Sequence, residues 1–296
     1  MKKGSDLVRM RRTDLALECR ERLGEHLPDG VTVEETAGEG VNLTKIEVHT
    51  KAAALALGKP VGVYYTASME GFPGSDALTD DRLSFLVEAL RALVPPAGGV
   101  LVAGLGNRAV TPDAVGPKCA DAVLATRHID KAAVRALSLP RLREVSVISP
   151  GVTGQTGMEA AETVAAVCEK IKPACVIAVD ALAAAGAGRL AKTVQLSSAG
   201  IEPGSGVGNA RKALNRETLG VPVISVGVPT VVDALTLAGD AYGETDPPPE
   251  AQTLAGMMVT PRDIDTVIDG AARLLALAVN CALQKNMTPA ELLGLM

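Results

Sequence analysis

Two aspartates in this chain stand where a pair of carboxylates could work together. Asp113 ends the run Gly104-Leu-Gly106-Asn107-Arg-Ala-Val-Thr-Pro112-Asp113, which follows an apolar strand pattern, and Asp180 closes another, Val176-Ile-Ala-Val-Asp180. In a parallel sheet the carboxyl-end loops open on one edge, so these two residues can meet despite their distance in sequence. Adjacent carboxylates do not readily both ionise. They share a proton and can supply a base and an acid at once. The same residues also suit a structural use, with Asp113 opening a helix and Asp180 capping one. Pro112 fixes a turn ahead of Asp113 without separating the two readings.

Other chemistries lack their residues. There is no Asp-Thr-Gly or Asp-Ser-Gly triplet, which excludes a pepsin-type protease, and no His-Glu-x-x-His, Walker A or Gly-x-Ser-x-Gly pattern. His26, His49 and His128 do not cluster, and they read as surface or structural residues. Five dispersed cysteines without a Cys-x-x-Cys point to free thiols in a reducing cytoplasm rather than to disulfides or zinc. No cofactor or metal is expected.

Two glycine-rich turns stay open in meaning. Gly104-Leu-Gly106-Asn107-Arg-Ala109 approaches the dinucleotide fingerprint but lacks a well-placed acid after it. The turn at 203–212, which carries Arg211 and Lys212, is either an anion cradle or a tight loop.

The elements that must position these residues follow from patterning. Runs at 61–65, 100–103, 145–148, 175–179, 193–196 and 223–226 read as strands, and 80–93, 157–171, 230–238 and 263–283 as helices. Thr156 and Glu159 have capping-box spacing for the second helix. The alternation predicts an α/β fold, a mostly parallel sheet with helices on both faces. Hydrophobic residues make up 47% of the chain, yet there are only three Tyr, two Phe and no Trp, so Ala, Val and Leu must fill the core. A net charge of −5 with so few aromatics removes the class of single-strand nucleic-acid binders. Asp180 and Arg273 interrupt the richest apolar runs, short of the ~18 residues of a membrane span.

Several segments together resemble one family, the germination protease of endospore-forming bacteria: GLGNRAVTPDAVGP at 104–117, SPGVTGQTGME at 149–159, AVDALAA at 178–184, PGSGVGNARK at 203–212 and GVPVISVGVPTVVDA at 220–234. The resemblance implies an atypical aspartic endopeptidase that degrades small acid-soluble spore proteins during germination, in the cytoplasm of the forespore and spore core. It implies Asp113 and Asp180 as the catalytic pair, a three-layer α/β/α sandwich like that of hydrogenase-maturation endopeptidases, and a homotetramer. Gly104, Gly106, Asn107, Gly151, Gly154, Arg211 and Lys212 fall in the matching segments as substrate-binding or site-shaping candidates. No nucleic-acid or membrane partner is implied. The alternatives are a metal-recognising hydrogenase-maturation-type endopeptidase, and a nucleotide-binding or structural module built on the glycine turns.

By the same resemblance the chain is made as a zymogen. Thr13-Asp14-Leu15-Ala16-Leu17-Glu18 is similar to the Thr-Glu-(Phe/Ile)-Ala-Ser-Glu pattern cut in the spore proteins, which implies self-cleavage between Asp14 and Leu15. Residues 1–14 then form a prosegment and 15–296 a single protease domain. Thr13 or Asp14 also suits the N-cap of a helix reaching about Leu27. Residues 1–14 carry +3 and the remaining chain −8, so a basic prosegment could dock on an acidic cleft by charge.

Overall fold

Val- and Ile-rich runs form strands of two to eleven residues, and Ala/Leu-rich runs form the helices that cover them. A computed structural model describes residues 13–24, 26–72, 80–130, 141–205, 211–242 and 249–296; the basic stretch 1–12, the tip of the glycine-rich turn at 206–210 and residues 243–248, within the polar, proline-rich run DAYGETDPPPEA at 240–251, lie outside the described residues. The first half of the chain holds α1 (Ala16–Glu21), β1 (Val31–Gly38), β2 (Val41–Val48), α2 (Lys51–Leu57), β3 (Gly62–Met69), α3 (Asp81–Leu93), β4 (Val100–Gly104), α4 (Val115–Ala122) and β5 (Val145–Ile148). The second half adds α5 (Thr153–Thr156), α6 (Ala160–Ile171), β6 (Cys175–Ala184), β7 (Thr193–Ser197), α7 (Arg216–Leu219), β8 (Val223–Asp233), α8 (Ala234–Tyr242), β9 (Met258–Val259), α9 (Ile264–Leu283) and α10 (Pro289–Leu293).

One sheet runs in the order β1-β2-β3-β7-β8-β6-β4-β5, with β9 on β8. The expected parallel sheet is its β8-β6-β4-β5 half. The other half, from β7 out to the β1–β2 hairpin, is antiparallel, so the sheet as a whole is mixed. Helices α3, α4 and α9 cover one face over Val102, Ile177 and Val226. On the other face α6 covers Leu101, Ala103, Val176 and Ala178, while α1 and α2 cover Ile46, Val48 and Tyr64. This is the expected α/β/α layering. Each fully buried Leu or Val contributes about 1.5–3 kcal/mol, so an Ala/Val/Leu core needs many of them. Helix α9 supplies a large share through Leu274, Leu275, Leu277 and Val279.

Four sequence expectations change here. Residues 230–233 continue β8 rather than starting a helix: Val231 and Val232 pair with Ala183 and Ala184, and α8 begins only at Ala234. The β-branched Thr230-Val-Val232 run favours the pleat over the helix. The capping box of α6 is Glu159–Glu162, with Glu162 accepting the Glu159 N–H at 3.1 Å, because Gly157 at φ 73° ends α5 before the chain turns into α6. The first helix stops at Glu21, and Thr13 and Asp14 do not cap it; its N-cap is Leu15. Finally, α9 is long and apolar enough for a membrane span by length and composition, Arg273 notwithstanding, but most of it is buried against the fold as a core helix. The five cysteines are free, four of them buried, and the three histidines are exposed.

Candidate active site

Strand β6 outlasts its neighbour. Strand β4 ends at Gly104, paired with Val179, and Leu105 donates its N–H to Val179 O at 2.8 Å; β6 then runs on to Ala184. Asp180 is therefore inside a strand rather than beyond its end, at the first residue past the β4 pairing. It is 4% exposed, and its Oδ1 accepts the Ala181 N–H at 2.9 Å. The helix-capping alternative for Asp180 falls with this placement.

Asp113 reaches the same place from a helical turn, Thr111–Asp113, that leads into α4. Glycines make this approach possible. A Cβ on Gly116 would lie 2.2 Å from Leu105 O and 2.4 Å from Val179 O, and one on Gly104 would lie 2.2 Å from Gly116 O. Gly106 has φ +107°, and a Cβ there would sit 2.1 Å from Asp113 O. The turn and the start of α4 thus rest directly on the end of β4 and on β6 at Val179. Asn107 donates its N–H to Asp113 Oδ2 at 2.7 Å, and its own Oδ1 accepts from Gln155 Nε2 at 2.8 Å.

The two carboxyls interact. Burial pushes the Asp180 carboxyl well above the usual carboxylate range, with the Asp113 charge and then that of Asp14 adding to the effect. Burial also raises Asp113, opposed by the Asn107 N–H and by the Arg211 cation. Arg211 is itself anchored, to Glu159 at 3.2 Å and to Thr153 Oγ1 at 2.9 Å. Asp180, the more deeply buried of the two, is the favoured proton carrier.

A stretch of the chain's own N-terminal region lies in the site. Asp14 donates its N–H to Ala183 O at 3.0 Å, and its side chain accepts from Ala183 N at 2.8 Å and from Ser205 Oγ at 2.9 Å. Its carbonyl oxygen accepts from Gln195 Nε2 at 2.8 Å and Lys59 Nζ at 2.9 Å. Leu15 is fully buried against Leu182, Ala184 and Ile201. Glu18, 7% exposed, accepts the Ala185 N–H at 2.8 Å and the Thr13 hydroxyl, and burial raises its carboxyl.

Of the remaining sequence candidates, Gly106 and Gly151 line a cleft of about 550 Å³ beside the pair, together with Arg108, Ala109, Ser149 and Gln155. Gly154 and Lys212 are exposed and are not drawn into these contacts. Sequence reasoning missed Lys59, Ala183, Gln195 and Ser205. The one available signal was Gln195, a long polar side chain in the middle of a strand that is buried throughout. Among the described residues no three His, Cys, Asp or Glu side chains converge as a metal-binding set.

Fold and site together define an α/β protein that brings one buried and one half-buried carboxyl group beside a docked stretch of its own chain. Residues 11–243 match the family model of the germination protease. A germination protease of Clostridium perfringens is 38% identical, covering 93% of this chain and 96% of its own length. One from Caldanaerobacter subterraneus subsp. tengcongensis is 37% identical over 95% and 96%. A third, from Priestia megaterium, is 40% identical over 77% of this chain and 65% of its own. The chain belongs to the germination protease family, a family of peptidases. Among solved structures, a nickel–iron hydrogenase maturation protease of Thermococcus kodakarensis aligns over 64% of this chain and 98% of its own, at 17% identity and a TM-score of 0.36.

Proposed function

We propose that this chain is an aspartic-type endopeptidase made as a self-processing zymogen, that it cuts itself between Asp14 and Leu15, and that it then degrades small acid-soluble spore proteins. The observation that carries this reading is the docking of Thr13–Glu18. That segment is similar to the cut pattern of the spore proteins, and its Asp14 carboxylate is close enough to Asp180 to raise that residue's pKa. Residues 1–14 are then the prosegment and 15–296 the protease domain. The working assembly is a homotetramer in the cytoplasm of the forespore and spore core.

The chemistry follows from the pair. Asp113, whose rise through burial is opposed by the Asn107 N–H and the Arg211 cation, takes a proton from water. The hydroxyl adds to the Asp14 carbonyl carbon, and the carbonyl oxygen takes up the displaced electron pair. Asp180 in its acid form gives a proton to the Leu15 nitrogen as the C–N bond breaks. The proton taken from water restores the pair for the next turn. One proton shared by the pair is the active state, which suits processing at lowered pH.

Mass spectrometry of the full chain incubated at mildly acidic pH tests this. Loss of residues 1–14 alone is expected; release of a different segment, or of none, refutes the processing site. A spore-protein peptide added to the processed enzyme tests the substrate class.

A further inference from the structure

The Asp14 carbonyl oxygen is held from two sides by residues outside the aspartate pair. Gln195 Nε2 donates to it at 2.8 Å and Lys59 Nζ at 2.9 Å. The other end of the Gln195 amide, Oε1, accepts the Ala16 N–H at 2.5 Å, so one buried side chain brackets Leu15 from both sides. Gln195 is 7% exposed. Lys59, on the loop between α2 and β3, is partly buried and also donates to Thr13 O at 3.1 Å.

The sheet explains how Gln195 and Asp180 serve one segment. Gly227 of β8 pairs with Asp180 on one side and with Gln195 on the other. In-register residues share a face, so Asp180 and Gln195 stand in one row, about 10 Å apart at the usual strand spacing. Between them the row carries only a glycine, beside Leu182 of the Leu15 pocket. A peptide carbonyl needs one donor to be satisfied in a folded chain. Here a cation and a buried amide saturate a single oxygen, the one that gains charge when water adds to its carbon.

We propose that Lys59 and Gln195 form the oxyanion clamp for cleavage after Asp14, and that they hold the equivalent carbonyl of a protein substrate. The inference rests on the reading of Asp14–Leu15 as the bond cut. As water adds, the carbonyl π electrons move onto oxygen, and both donors shorten and strengthen on the new charge. When the C–N bond breaks the electron pair returns, and the clamp is left holding the carbonyl oxygen of the new Asp14 carboxylate.

The test uses the full chain and a synthetic peptide of residues 9–20 as substrate for the processed enzyme. Lys59→Met, Lys59→Arg and Gln195→Met are compared with the unaltered protein, with melting curves to confirm folding. Each Met variant should lose about 100-fold or more in kcat with KM moved only a few-fold, because the donors act mainly on the charged oxygen. Lys59→Arg should recover part of the loss. Folded variants with undiminished kcat, or a loss confined to KM, overturn the clamp. If Gln195→Met does not fold, Lys59→Met on the partly exposed side chain decides alone. An unaltered protein that leaves the 14–15 bond intact overturns the clamp together with the processing site; cutting by the unaltered protein and the variants alike overturns the clamp only.

Discussion

Asp14 and Ala183 are joined by two hydrogen bonds: the Asp14 N–H donates to Ala183 O at 3.0 Å, and the Ala183 N–H donates to Asp14 Oδ2 at 2.8 Å. One bond uses the main chain and the other the side chain. The first would hold any residue, whereas the second selects an acidic or amide one. Two residues on, Ala185 repeats the second device with Glu18. The end of β6 and the residue after it therefore hold two acidic side chains four residues apart on one segment, the spacing at which the spore-protein pattern carries its two glutamates.

Asp113→Asn and Asp180→Asn should each fold and each lose about 10²–10⁴-fold in release of residues 1–14 and in peptide cleavage, the range of a lost acid–base partner. Time courses by mass spectrometry measure it. Full cleavage by either folded variant would remove that residue from the mechanism.

Ser205 should govern preference for an acidic residue before the cut bond. Its hydroxyl is 2.9 Å from Asp14 Oδ1, and a hydrogen bond to a charged group is worth roughly 1.5–3 kcal/mol. Ser205→Ala should therefore lower kcat/KM for an acidic peptide by at least about tenfold, while a peptide with Ala at that position is affected far less. Equal losses on both peptides would make Ser205 a purely structural contact.

Much of this was legible in the chain and some was not, for definite reasons. Asp113 lies in the connection after β4 and Asp180 in the adjacent parallel strand β6, so the strand patterns placed them on one side of the sheet, but that β6 continues past Asp180 to Ala184 was not written in its apolar run. The β1–β2 hairpin was invisible because β1 (VTVEETAG) is mostly exposed and carries charges instead of a clear alternation. Lys59 and Gln195 belong to no motif, and Ser205 sits in the glycine-rich turn at 203–212 without a pattern that marks it; Lys59 and Gln195 come together through the antiparallel β3–β7–β8 half of the sheet, whose pairing no local pattern encodes. The end of β8 was misread because an apolar run without polar alternation fits a buried helix as well as a buried strand.

Gly106→Ala should separate shape from stability. The new Cβ needs φ +107° and would lie 2.1 Å from Asp113 O and 3.0 Å from Asp113 Oδ1. The chain should lose more than about 1 kcal/mol of stability, as Ala does at positive φ. Cleavage should fall much further than the fraction unfolded explains, because Asp113 is displaced. Denaturant melts alongside kcat make the comparison, and an activity loss matching the unfolded fraction would refute a shaping role.

Asp180 should also leave a signature in stability against pH. Its native pKa lies well above the unfolded value, through burial and through the nearby Asp113 and Asp14 carboxyls, with the Ala181 N–H opposing. In the range between those two values the native state therefore binds more protons than the unfolded one, and stability falls as pH rises through it. The contribution is fully present below the unfolded carboxylate range and lost once pH passes the raised native value. Asp180→Asn removes this titration, so its melting temperature relative to the unaltered chain should climb between pH 4 and pH 8. The gain should be on the order of 2–4 °C for each kcal/mol of buried charge relieved. Asp113→Asn removes the charge that helps hold the Asp180 proton, so the same scan should show a shallower pH dependence in that variant. Thermal melts at both pH values decide the matter, and a gap between Asp180→Asn and the unaltered chain that stays constant with pH would mean Asp180 is ionised in the folded protein.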